Sequence, residues 1–148
     1  MQALTITQPW ATLLARGHKH IENRNWKPPA ELMGSVLALH ASRELDALDL
    51  YLVRRRYALS LTSEECPLGA VVAVATLVDV IEDSVDPWFL GPYGWVFDDV
   101  CPVDPVPCRG ARKLWSLPPA VEEQVVRGMR TTTTRRALDC QLLLPKIV

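Results

Sequence analysis

The sequence lacks a long hydrophobic run. No apolar stretch approaches the ~20 residues that a membrane-spanning helix needs, although 49% of the 148 residues are hydrophobic. Residues 1–5 also lack the charged segment followed by an apolar one that begins a secretory signal. We therefore expect a cytoplasmic protein that has no membrane partner.

Cysteine is scarce and follows no metal-binding pattern. The four cysteines, Cys66, Cys101, Cys108 and Cys140, form no Cys-x-x-Cys pair, and no histidine lies at zinc-finger spacing from them. In a chain without an export signal we expect reduced thiols. The sequence also lacks a Walker loop, a Gly-x-Gly-x-x-Gly turn and a Gly-x-Ser-x-Gly elbow. We expect no metal and no cofactor.

Positive charge is missing from the middle of the chain. Residues 57–108 hold nine Asp and Glu but neither Lys nor Arg, whereas residues 1–56 and 109–148 each hold eight Lys and Arg. If the two basic ends meet in space, they form a basic face that attracts phosphates although the net charge is −1. The alternative is that these charges only cover a core.

Glycine is also infrequent, with seven residues against twelve prolines, which indicates fixed turns and short elements. A chain of this length can bury one core without disulfides or metal. We expect one domain over residues 1–130. Residues 131–148, which open on a run of threonines, are expected to form a C-terminal tail that is loosely attached.

The N-terminal part predicts one helix followed by a strand. Thr7 can cap a helix, and Pro9 suits its first turn because proline has no N–H to satisfy. Gly17 supplies a left-handed stop, so the helix is expected to have about three turns. Lys19–Trp26 follows as a strand.

The central part predicts two strands around a second helix. Ser35–His40 and Gly69–Glu82 are apolar, and the second run is rich in β-branched residues. Ser42 is expected to cap a helix from Glu44 to about Tyr57. The residues of this helix that are expected to face inward are Leu45, Leu48 and Leu52.

The C-terminal part predicts a short strand, an extended segment and a third helix. These lie at Tyr93–Asp98, Pro102–Arg109 and Pro118–Met129. No repeated βαβ unit is visible. The pattern predicts an α+β fold, namely a small mixed β-barrel with two to three helices packed on it.

One short segment combines several chemically active side chains directly after Gly17. On a regular strand His20, Glu22 and Arg24 share one face, because side chains alternate. Lys19 lies an odd number of residues from these three, so its side chain would face the other side of a regular strand. It joins them only if the turn after Gly17 redirects its side chain. The alternative is that Glu22 and Arg24 form a surface ion pair worth less than ~1 kcal/mol.

Other aromatic and polar residues are candidates for the same site. Trp10 is either a core residue or a platform for a ligand. His40 is either a ligand contact or a satisfied core imidazole, and Ser42 follows it where a helix start offers N–H groups to an anion. Tyr93 and Trp95 either stack a base or cover the end of the barrel.

Taken in order, these motifs resemble the ASCH domain, a family named for activating signal cointegrator homology. The matching segments are Gln8-Pro9-Trp10-Ala11, Gly17-x-Lys19-x-x-Glu22-x-Arg24-x-Trp26, His40-Ala41-Ser42, Gly69-Ala70-Val71-Val72, Tyr93-Gly94-Trp95 and Gly110 with Leu114-Trp115. Their order and intervals hold from about residue 4 to 117. The resemblance implies a PUA-like β-barrel with a cleft beside the first helix.

The resemblance also implies binding of RNA or DNA, or of a free or modified nucleoside. The residues that we expect to line the cleft are Trp10, Lys19, Glu22, Arg24, Trp26, His40, Ser42, Arg43, Tyr93 and Trp95.

A branch of the superfamily implies a different function, the hydrolysis of N4-acetylcytidine with a Lys, a Thr and a Glu. Lys19 matches that lysine, but Glu22 occupies the threonine position, and Glu82 matches the glutamate only loosely. Lys19 and Glu22 would be catalytic in an enzyme of this kind. Ribonuclease activity and a protein-interaction role of the acidic residues 57–108 remain further alternatives.

Overall fold

The structure, a computed structural model, describes the backbone of residues 1–143 and the side chains of residues 1–133. The strands are β1 (Gln2–Gln8), β2 (Ile21–Arg24), β3 (Val36–Leu45), β4 (Ala70–Ile81), β5 (Tyr93–Pro107) and β6 (Leu114–Ser116). The helices are α1 (Trp10–Ala15), α2 (Ala47–Tyr57) and α3 (Pro119–Leu143), with short 3-10 turns at Ala30–Leu32 and Ser63–Glu65.

All six strands form one mixed sheet in the order β2-β5-β4-β3-β1-β6. The β1–β3 pair is parallel, and the other pairs are antiparallel. The predicted α+β fold is confirmed. In the described residues the sheet does not close into a complete barrel, because β2 and β6 are its two edges.

Both faces of the sheet are buried, and the alternation of side chains along a strand sends neighbouring residues to opposite cores. On one face Leu4, Ile6 and Trp95 pack with α1 in the first core. On the other face Ala3 packs with Val125 of α3 in the second core. Helices α1 and α3 therefore cover opposite faces of the sheet.

The first helix is shorter than the sequence predicts. It begins at Trp10 and ends at Ala15. The residues through Gln8 belong to β1, a strand that the sequence pattern does not predict. The backbone N–H of Thr12 donates to Gln8 Oε1 at 3.0 Å. Gly17 has a φ of +76°, so the predicted left-handed stop is confirmed.

The prediction for the second helix is wrong at its start and in its orientation. Strand β3 continues to Leu45, and Asp46, not Ser42, caps α2 by accepting from the Leu48 N–H at 2.8 Å. Leu48 and Leu52, which were expected to face inward, are exposed.

The C-terminal elements are longer than predicted. The two separate segments at 93–98 and 102–109 form a single strand, β5, and β6 was not predicted. Helix α3 runs from Pro119 to Leu143 and so includes residues 131–143. The rest of the predicted tail lies outside the described residues. None of the helices in the described part of the chain has both the length and the hydrophobicity of a membrane span.

Candidate functional site

A cavity of about 780 Å³ lies where the two basic segments of the sequence meet; we call it the larger cavity. Its lining consists of Thr5, Thr7, Arg24, Trp26, His40, Ser42, Arg43, Glu44, Gly69 and residues 109–113. Five of these residues are cationic, namely Arg24, Arg43, Arg109, Arg112 and Lys113, against one carboxylate. The cavity is therefore a cationic concavity although the whole chain is nearly neutral.

Arg24 crosses from the edge strand β2 towards β1. It is half-buried, and its Nη2 donates to the Thr5 carbonyl oxygen at 2.6 Å. Its Nε is buried and has no hydrogen-bond partner among the described residues. A buried donor without a partner is costly, and the guanidinium that carries it lines the larger cavity.

A hydrogen-bond chain fixes one wall of the larger cavity. His40 is buried, and its Nε2 lies 3.0 Å from the Cys108 carbonyl oxygen. Because a carbonyl only accepts, Nε2 carries the proton, and Nδ1 accepts from the Thr5 hydroxyl at 3.3 Å. Thr5 in turn accepts from Trp115 Nε1 at 3.0 Å. Burial lowers the pKa of His40, which agrees with a neutral ring.

The helix start predicted after Ser42 is wrong, so no free N–H groups of a helix start lie there, although Ser42 lines the larger cavity. Ser42 lies within β3, and its Oγ accepts from the backbone N–H of Glu44 at 3.1 Å. Arg43 lies next to Gly69, whose φ is +64°; a Cβ at Gly69 would come within 3.2 Å of Arg43 Nε. The backbone of residue 69 thus makes room for the Arg43 side chain.

A second cavity of about 270 Å³, the smaller cavity, lies beside α1. Its lining residues are Thr7, Trp10, Lys19, Glu22, Asn23, Tyr57, Trp88 and Leu90. Lys19 Nζ and Glu22 Oε2 form an ion pair at 3.1 Å, with side chains 4% and 11% exposed. The Lys19 backbone N–H donates to Leu13 O within the turn after Gly17, and this turn re-aims the side chain.

The amine of Lys19 lies in an unusual environment. Burial lowers its pKa, the neighbouring Glu22 opposes this shift, and Arg24 adds to it. Its Nζ lies 5.9 Å from the Trp10 ring centroid. The smaller cavity therefore combines a desolvated amine, a carboxylate and an aromatic wall.

Sequence reasoning missed two aromatic residues of the smaller cavity. The rings of Tyr57 and Trp88 stack with centroids 3.6 Å apart and an interplanar angle of 15°. They come from α2 and from the loop before β5, and no spacing in the sequence connects them. Burial raises the pKa of Tyr57, whose hydroxyl donates to Pro87 O at 3.0 Å.

The structure divides the predicted site residues between the two cavities. Trp10, Lys19 and Glu22 line the smaller cavity. The residues that line the larger one are Arg24, Trp26, His40, Ser42 and Arg43. The expected convergence of Lys19, Glu22 and Arg24 on one cavity is therefore wrong. The cavities nevertheless adjoin, because Thr7 lines both.

Two predicted residues line neither cavity. Trp95 is fully buried, and its Nε1 donates to the Trp26 carbonyl oxygen at 3.1 Å. Its ring meets Trp26 edge to face in the first core. Tyr93 packs against the same core, with Lys27 Nζ 5.3 Å from its ring centroid. The fully buried Trp95 ring is therefore unavailable for stacking on a base.

The side chains of the described residues include no group of three or more His, Cys, Asp or Glu that could hold a metal ion. The acidic surface of residues 57–108 is therefore not gathered into a cation site within the part of the chain that the structure covers.

Comparisons with known proteins give a consistent family assignment. The crystal structure of ASCH from Zymomonas mobilis superposes with a TM-score of 0.56 at 14% identity, and the match covers 85% of this chain and 93% of that one. A mutant form of the Zymomonas protein gives a TM-score of 0.52, also at 14% identity, with coverage of 85% and 96%.

At 14% sequence identity, the similarity to these two crystal structures concerns the fold alone. None of the curated protein sequences matches the chain. The profile of the ASCH domain matches residues 4–88, which is more than half of the sequence. The chain belongs to the ASCH domain family.

Proposed function

We propose that the protein binds single-stranded nucleic acid, with the phosphate backbone in the larger cavity and a base at the smaller one. The observation that carries this proposal is the meeting of five cations from two distant segments in one concavity. Within the described residues, none of the five forms an ion pair with a carboxylate. Their charge is therefore available to phosphates.

The smaller cavity supports the base-binding half of the proposal. Trp10, Tyr57 and Trp88 provide aromatic surface, and bases stack on such rings without strict sequence preference. Glu22 is an acceptor for an exocyclic amine, and Lys19 is a donor for a ring nitrogen or carbonyl. Because Thr7 joins the two cavities, one strand can occupy both.

The test measures the affinity of labelled single-stranded RNA and DNA and of a duplex by fluorescence anisotropy. The double variant Arg43→Ala, Arg109→Ala is expected to weaken single-strand binding by roughly tenfold or more. The control variant Arg16→Ala, Arg127→Ala removes the same charge outside both cavities, where each arginine pairs with a glutamate. Equal affinities of the two variants would refute the larger cavity as the binding site.

A second function, hydrolysis of an acylated nucleoside or of RNA, is favoured by one observation. Lys19 is a buried amine with a lowered pKa beside the Glu22 carboxylate, and both face a cavity. Glu22 would act as a general base on water, and Lys19 would stabilise the developing oxyanion. Product from acylated nucleosides or short RNAs should then disappear in Lys19→Met and Glu22→Gln. A wild-type protein that gives no product excludes this function.

A further inference from the structure

The solvent-facing side of α2 carries three exposed apolar residues, and Arg55 follows them on the same face in the last turn. Leu48, Tyr51 and Leu52 are 59%, 57% and 43% exposed. Their spacing of three and four residues places them on one face of the helix. Val53 is the one buried residue of α2 and points away from them. We call these three residues the α2 stripe.

Opposite charges flank the two ends of the α2 stripe. Asp49 lies in the first turn, and Arg54, Arg55 and Arg56 lie in the last. Seven residues separate Asp49 from Arg56, which is nearly two full turns, so both lie on the same flank of the stripe. Within the described residues, neither forms a salt bridge.

We propose that α2 pairs antiparallel with α2 of a second copy of this chain across a two-fold axis. Such an axis brings each flank of one helix against the same flank of the other with its ends reversed. Arg56 of one copy then faces Asp49 of the second copy, and the reverse pair forms by symmetry. Leu52 lies nearest the axis, and the helix dipoles run in opposite directions.

Three properties of α2 together favour a second copy of α2 as its partner: the exposed apolar stripe, an acidic start and a basic end. A helix of 11 residues offers a small interface, so weak association with a dissociation constant in the micromolar range is expected. The proposal is independent of nucleic-acid binding, because no residue of the α2 stripe lines either cavity.

The first test is sedimentation equilibrium of the full chain over a wide concentration range. We expect a monomer–dimer equilibrium whose dissociation constant rises at least ~10-fold in Leu52→Glu. Val85→Glu is the matched control, because Val85 is fully exposed and lies outside α2. Circular dichroism verifies that both variants fold. A chain that stays monomeric, or a dimer that Leu52→Glu leaves unchanged, overturns the proposal.

The second test exchanges the charges. Asp49→Arg and Arg56→Asp should each be monomeric alone, because each places like charges opposite one another. A mixture of the two single variants should form a heterodimer, and the double variant should dimerise again. Failure of the mixture to associate overturns the antiparallel register. A chain that binds only an added acidic amphipathic peptide at α2 overturns self-pairing and assigns the stripe to another protein.

Discussion

At the scale of single residues, the larger cavity depends on side chains that buried partners hold in place. Arg24 is held by the Thr5 carbonyl oxygen, and His40 by Cys108 and Thr5. Gly110 lies against the same imidazole, because a Cβ built there would come within 2.5 Å of His40 Cε1 and 3.0 Å of Thr5 Oγ1. Even a conservative substitution at these positions should therefore displace side chains in the wall of the larger cavity.

Gly110→Ala should destabilise the protein by about 1–3 kcal/mol, because the added methyl overpacks a wall that cannot move without breaking the His40 hydrogen bonds. Urea unfolding measures the free energy. Gly128→Ala is the control, because its Cβ would lie 3.4 Å from Val103 and it gains helix propensity in α3. A Gly110→Ala protein as stable as the control would contradict this packing.

The unfolding free energy should depend on the protonation of His40. Because burial lowers its pKa in the folded protein, the unfolded chain takes up more protons, and stability falls as the pH drops below about 6.5. The contribution of His40 is fully present above that pH. Urea unfolding of the wild type and of His40→Asn is measured at a series of pH values. The difference between their free energies of unfolding gives the contribution of His40. A difference that is constant with pH would contradict a buried neutral imidazole.

At the scale of elements, the smaller cavity is lined by a helix and a loop that each have few stabilising contacts of their own. Helix α2 buries only Val53, and the loop before β5 has no regular secondary structure over most of its length. The Tyr57–Trp88 stack joins the two. Asn23 of β2 fastens the loop, since its Nδ2 donates to Trp88 O and its Oδ1 accepts from two backbone N–H groups at residues 90 and 91.

Asn23→Ala should release this loop. The substitution removes all three hydrogen bonds and is expected to cost about 1–3 kcal/mol of stability. Hydrogen exchange at the amides of Leu90 and Gly91 should become faster, while exchange in β4 stays slow. Asn25→Ala is the matched control, because Asn25 is exposed and makes no such contact with the loop. Unchanged exchange at residues 90 and 91 would show that the loop is held by other contacts.

At the scale of the whole molecule, charge is sorted into regions. The basic ends of the chain meet at the larger cavity, whereas residues 57–108 contribute no cation. A protein of net charge −1 can in this way present a local cationic surface to a polyanion.

Nucleic-acid binding at this surface should weaken with salt. For single strands the logarithm of the affinity falls with the logarithm of the salt concentration by about 0.7 per phosphate contacted. The variant Arg43→Ala, Arg109→Ala should therefore flatten the slope by roughly 1.4, and Arg16→Ala, Arg127→Ala should leave it unchanged. Anisotropy titrations at several salt concentrations measure both. A wild-type affinity that does not respond to salt would contradict phosphate binding.

Much of the fold could be predicted because its signals are local. The β-branched run Ala70–Ile81 forms a strand in its predicted place, and Gly17 ends the first helix as expected. Predictions failed where contacts with residues distant in the sequence determine the local structure. Gln2–Gln8 is a strand because β3 and β6 flank it. Leu48 and Leu52 of α2 are exposed while Val53 is buried, because the packing of the helix decides which of its faces is covered.

The candidate site shows the same division. The amino-acid sequence by itself determined the family, the residue types of the site and the separation of charge, because motif order and composition are properties of the chain. Only the tertiary structure decided that Lys19 and Glu22 form a buried pair in one cavity while Arg24 lines another. The physical reason is that a side chain's direction and burial depend on the turn that carries it and on neighbours from other strands.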